Sequence, residues 1–202
     1  TEEKYYWNKN HKAIPGELYF SEEEKIFGSN IILDAKKWWK KNKKNNFEKI
    51  VFIEPSRIKT LKSNSFENRN LGIDKWQSFI DNFKNEYLFM QSVFSGSDFL
   101  KGIYSFKSNF REACAVIKNS DFIIGMEGGF THAAAAINKT GLFIYGGYID
   151  PKVIGYSQHR NIYIDIDGSP CGMKVICEHC KKCNEIITVE MISKNFLEMV
   201  SE

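Results

Sequence analysis

No stretch of the 202-residue sequence strings together the roughly 20 apolar residues that crossing a bilayer requires. No basic leader with an apolar centre opens it. The first residue is Thr1 rather than Met, which points to a processed chain or a piece of a longer one. A strong charge of one sign is also missing. With 28 Lys and Arg against 25 Asp and Glu, the net charge of +3 gives no global attraction to nucleic acid. Neither a Gly-x-x-x-x-Gly-Lys-Ser/Thr loop nor a spaced Gly-x-Gly-x-x-Gly is present, so two familiar nucleotide signatures are excluded. Internal repeats and low-complexity tracts are absent too. What is there, 43% apolar and 26% charged residues, is the composition of one well-cored globular domain.

Residues 1–46 read as a linker and N-terminal helical segment. Ser21 with Glu24 forms a capping-box pattern for a short helix from Glu22 to Phe27, and Asp34 opens a lysine-rich helical stretch to Lys44. Trp38 and Trp39 lie within it. Either one of them packs inward from a solvated basic face, or the pair marks a peripheral membrane contact. From residue 47 onward the pattern is that of a second unit, 47–202. The run from Lys49 to Pro55 is almost wholly apolar and β-branched, as a strand buried on both faces would be. Apolar residues at Ile73, Trp76, Phe79, Ile80 and Phe83 keep helical spacing. Strands are expected over Tyr87–Phe94, Asp121–Gly125 and Thr140–Gly147. Helices are expected from Asn109 to Asn119, from Phe130 to Asn138, and from Thr188 towards Val200. About four strand–helix alternations predict an α/β fold, a Rossmann-like parallel sheet with helices on both faces.

In such sheets ligands bind beyond the carboxyl ends of the strands, where strand order reverses. The strand ending at Gly125 runs into Met126, Glu127, Gly128, Gly129, Phe130, Thr131 and His132, and then into four alanines. Two glycines at a strand-to-helix turn let a ligand approach the backbone, and the first amides of the helix favour a phosphate. The plainer reading is a tight turn capped by Glu127 and Thr131.

The segment DFIIGMEGGFTHAAAAINKTGLFIYGG resembles the region around the Asp-Ser-Gly-x-x-His-x-Ala-Ala motif of the ADP-heptose:lipopolysaccharide heptosyltransferases, glycosyltransferase family 9. NRNLGIDKWQ, from Asn68 to Gln77, is similar to that family's Asn-Lys-x-Trp-Gly segment. GYSQHRN and the cysteine-rich stretch resemble the tail of its distant members. The resemblance implies the C-terminal, donor-binding half of a GT-B enzyme. It implies an inverting transfer that needs no metal cofactor, from ADP-heptose or another nucleoside-diphosphate sugar to a saccharide or lipid-linked acceptor of a surface polysaccharide or lipopolysaccharide. Glu127 would meet sugar hydroxyls, and the amides of Gly128, Gly129 and Phe130 would hold the diphosphate. Thr131 and His132 would cap and orient the turn, His132 being either hydrogen-bonded in the interior or in touch with ligand. Arg69 stands where the family has its phosphate-pairing lysine. Glu-Gly-Gly replaces Asp-Ser-Gly here. The family's catalytic base lies in an N-terminal domain that nothing in this sequence matches, so the catalytic residue is unknown and an upstream half is expected. A non-catalytic nucleotide-sugar-binding module and a GT-B-like sugar-nucleotide epimerase are the alternatives.

Cys171, Cys177, Cys180 and Cys183 follow a C-x5-C-x2-C-x2-C spacing around His179. They are read as ligands of a structural zinc, as reduced thiols, or, less well by spacing, as an iron–sulfur site. Cys114 is expected in the core. With no export signal in the sequence, a cytoplasmic location is the expectation, either free or in peripheral contact with the inner face of the membrane.

Overall fold

The computed structural model describes residues 4–8, 10–55, 70–94, 99–173, 175 and 177–202. Six strands form one all-parallel sheet: β1 (Ile50–Glu54), β2 (Leu88–Val93), β3 (Tyr104–Lys107), β4 (Phe122–Met126), β5 (Gly141–Gly146) and β6 (His159–Tyr163). Their order is β3-β2-β1-β4-β5-β6. Seven helices accompany them among the described residues: α1 (Glu22–Asn42), α2 (Ile73–Phe83), α3 (Phe110–Asn119), α4 (Gly129–Ala136), α5 (Pro151–Ile154), α6 (Glu178–Ile186) and α7 (Val189–Val200).

The side-chain period of two explains why β1 is an unbroken apolar run. Val51 and Ile53 enter one core, with residues of α2 and α7. Ile50 and Phe52 enter the other, with residues of α1, α3 and α4. On the first face Phe196 of α7 lies 5.3 Å from Phe79, 5.1 Å from Phe83, 5.0 Å from Tyr87 and 5.9 Å from Phe89, ring centre to ring centre. Tilted and edge-on packing of this kind adds to simple area burial.

On the second face, α1 is one helix of 21 residues rather than a short helix followed by a separate lysine-rich one. It runs through Gly28 because the missing side chain lets α1 touch α3. A Cβ there would fall 2.7 Å from the Ala115 carbonyl oxygen. The capping box at Ser21 is formed, and Glu24 is also gripped by Arg111 of α3 at 2.6 and 2.9 Å. Trp39 is the inward tryptophan, its Nε1–H donating to Asn45 O at 2.7 Å, while Trp38 packs on Tyr104. The second capping box, at Asn109, opens α3 as expected, and Thr188 caps α7.

The sheet exceeds the expected number of strands at its two edges. β3 has four residues, one of them buried, and β6 carries His159, Arg160 and Asn161. Helices α5 and α6 are likewise additions to the expected pattern.

The chain builds β1, β2 and β3 outward in one direction, then returns through α3 to place β4 on the other side of β1. The reversal of strand order therefore lies between β1 and β4. In open parallel sheets ligands bind beyond the carboxyl ends of the strands near such a point.

Candidate functional site

Glu54 ends β1 and Met126 ends β4, side by side at the reversal. Gly125 lies opposite Glu54, where a Cβ would sit 2.8 Å from the Glu54 carbonyl oxygen, so glycine is what lets the two strand ends close up. The chain then leaves β4 through Glu127 and Gly128 into α4.

Each residue of this corner has a distinct place. Glu127 is only 3% exposed, yet it lines a cavity of about 330 Å³, and its N–H donates to Ile144 O at 2.9 Å. Its carboxylate, after burial, pushes the phenol of Tyr145 up from its ordinary value. The Gly128 N–H is consumed within the turn, donating to Thr131 Oγ1 at 3.1 Å, while Thr131 N–H returns to Gly128 O at 3.0 Å. Thr131 is buried and caps the turn from beneath. Gly129 and Phe130 are the first two residues of α4, whose amides have no carbonyl one turn earlier within the helix. The Phe130 ring turns away from the cavity to stack on Phe110 at 4.9 Å. His132 is exposed, lines the cavity, and shares a 2.8 Å hydrogen bond with the Tyr156 hydroxyl through Nδ1. Arg69 lies outside the described residues.

Beneath this corner is a residue that sequence reasoning left unassigned. His159 of β6 is buried, with Nε2 3.3 Å from Thr131 O and its ring edge-on to Phe143 and Tyr156. Burial pushes its pKa down to about 4, so it stands neutral at physiological pH. The GYSQHRN stretch was the available signal, but only the fold sets Tyr156 and His159 under α4.

The opposite wall of the cavity includes Trp7 and Tyr148, which meet edge to face at 5.6 Å. Beside Tyr148 lies the thiol cluster. Cys171 Sγ is 3.3 Å from Cys180 Sγ, and Cys177 Sγ is 3.4 Å from Cys180 Sγ. These separations exceed the 2.05 Å or so of a disulfide, and the cysteines are free thiols. The hydrogen bond shared by Cys171 and Cys180 holds the Cys171 thiol well below its ordinary value and raises that of Cys180. Donor atoms of Cys171, His179 and Cys180 lie within 4.8 Å of one another. Cys183 is not in that group; its Sγ is 3.7 Å from His179 Nδ1, towards the α2–α7 core. Cys114 lies in the interior, where burial pushes its thiol up to about 12.

The strand order and its reversal define a Rossmann-like α/β unit with a glycosyltransferase-like fold of GT-B type. No protein family matches the sequence, and no curated protein does so by sequence. Solved structures do match. Escherichia coli ADP-heptose lipopolysaccharide heptosyltransferase II superposes with a TM-score of 0.59 at 13% identity, over 91% of this chain and 53% of that one. A glycosyltransferase family 9 protein from Veillonella parvula gives 0.55 at 13% identity, over 93% and 54%. TibC, a dodecameric iron-containing heptosyltransferase solved with ADP-D-β-D-heptose, gives 0.55 at 13% identity, over 79% and 47%. The expected fold is thus the observed one. The chain spans about half the length of the solved structures it matches. No helix among the described residues is long and apolar enough to cross a membrane.

Proposed function

We propose that this chain is the donor-binding half of a GT-B glycosyltransferase, holding a nucleoside-diphosphate sugar at the corner between β4 and α4. The observation that carries this reading is the cavity beyond the end of β4, which Glu127, Gly128 and the first residue of α4, Gly129, line together. The diphosphate rests on the Gly129 and Phe130 amides, favoured by the helix dipole. In this proposal Arg69, which matches the phosphate-pairing lysine of the resembling family, neutralises phosphate charge. Glu127 accepts hydrogen bonds from sugar hydroxyls, with Thr131 and His159 holding the turn in place. Transfer then proceeds when a base on a second, N-terminal half deprotonates the acceptor hydroxyl. The acceptor is a saccharide or lipid-linked glycan at the cytoplasmic membrane face, and amides and arginine stabilise the departing nucleoside diphosphate. Calorimetric titration with ADP, UDP and their sugar conjugates tests the reading. Glu127→Gln is expected to lower affinity for the sugar conjugate by roughly 1.5–3 kcal/mol, the range for a hydrogen bond to a charged group. Equal affinity would remove Glu127 from the site.

The thiol cluster belongs to the same reading as a structural metal centre. Three thiols and an imidazole are a donor set that zinc or iron accepts, and tetrahedral zinc–sulfur bonds of about 2.3 Å place sulfurs roughly 3.8 Å apart. The Cys171–Cys180 and Cys177–Cys180 separations would open by a few tenths of an ångström to reach this, and Cys177, outside the group of Cys171, His179 and Cys180, would move in to complete the four donors. Ser169 Oγ, 3.0 Å from Nε2, then orients the His179 ring. Elemental analysis of the purified protein is expected to find about one zinc or iron per chain. A metal-free, fully folded chain would end the assignment.

A further inference from the structure

The cavity wall facing α4 comes from a segment that precedes the first helix. Lys4 bridges Met173 in antiparallel fashion, and Tyr5 N–H donates to Gly172 O at 2.8 Å. The 171–173 segment is itself fastened to the loop after β5, with Cys171 N–H donating to Gly147 O at 3.0 Å and Gly172 N–H to Tyr148 O at 3.1 Å. Gly172 adopts φ +62, and a Cβ there would fall 2.6 Å from Tyr5 O and 3.0 Å from the Trp7 ring. The strap is therefore fitted closely against a residue that only glycine fills without strain. Its product is Trp7, set edge to face on Tyr148 and facing the cavity that Glu127 and His132 line from the other side.

The two walls differ in chemistry. One offers a carboxylate and an imidazole; the other offers indole and phenol rings with Ile149 and Ile154. A saccharide satisfies both walls at once, because its hydroxyls point sideways to acceptors while its C–H faces lie against aromatic rings.

Building on the donor-site reading, we infer that the strap carrying Trp7 is the saccharide-binding wall of this site, with Trp7 packing against the sugar ring of the donor. Trp7 is then a specificity-determining residue, and the sugar is admitted or refused by the space between indole and Glu127.

Affinities of ADP against ADP-heptose, and of UDP against UDP-glucose, are compared by calorimetry for the unmodified chain, Trp7→Ala, Trp7→Phe and Gly172→Ala. The conjugate that binds is expected to lose about fivefold to tenfold with Trp7→Ala, the scale of one aromatic contact, with its bare nucleotide unchanged. Trp7→Phe is expected to keep most of the affinity. Gly172→Ala, which keeps the indole but displaces the strap that carries it, is expected to reproduce the Trp7→Ala loss. Equal weakening of nucleotide and conjugate, or no weakening of either, would overturn the inference while leaving the donor site standing. Binding of none of the four compounds by the unmodified chain would overturn the donor site and this inference together.

Discussion

His159 is a neutral imidazole kept under the turn that shapes the site, and that choice makes the fold sensitive to acid. In the unfolded chain it takes a proton near its ordinary value of 6.5, whereas burial lowers its folded value to about 4. Between those values the unfolded chain binds more protons, so stability is fully present above about pH 6.5 and falls as the pH drops towards 4. At pH 5 the loss attributable to this residue is about 2 kcal/mol. Urea denaturation at pH 7 and pH 5 should show that drop in the native sequence, and His159→Gln should show correspondingly less. A variant with an undiminished drop would place the acid sensitivity elsewhere. The residue-level reading of the sequence identified the corner from Glu127 to His132, because a strand, two glycines and an alanine helix adjoin in the chain. It had no access to Trp7, Tyr148, Tyr156 or His159, whose nearness to that corner depends on packing between distant segments.

Among the elements, those with a clean apolar period were legible to within a residue or two. The helix expected from Ile73 to Phe83 has those very bounds, since each apolar residue faces one core. β3 and β6 escaped because edge strands have one flank open and need no continuous apolar run. α6 escaped because Cys177, rather than a Ser or Asn, accepts from Cys180 N–H at its start. The two faces of the sheet also make opposite demands on substitution. Phe196→Ala empties the centre of the aromatic cluster on the α2–α7 side and is expected to cost about 3–5 kcal/mol, read as a lowered denaturation midpoint. Gly28→Ala would gain about 1 kcal/mol on a solvent-facing helix. Here it must push α1 off the Ala115 carbonyl, so a net loss of about 1–3 kcal/mol is expected. A rise in stability would show that α1 and α3 separate freely.

For the molecule as a whole, a ligand that binds only the folded state raises stability by mass action. At a hundredfold excess over Kd the gain is about 2.7 kcal/mol, which for a domain of this size raises Tm by about 5–10 °C. A sugar nucleotide should produce that shift by differential scanning fluorimetry, and Glu127→Gln should require more of it. No shift at saturating nucleotide would contradict the donor site. The pairing of β1 with β4 has a further bearing, on how the chain is made. Val51 pairs with Phe122, and the Ile50 N–H donates to Asp121 Oδ2 at 2.7 Å. A ribosome adding 5–20 residues per second takes roughly 4–14 s to travel between those positions. For that interval an apolar strand, buried on both faces in the finished fold, waits with one flank uncovered, a natural point for a chaperone to attend the nascent chain.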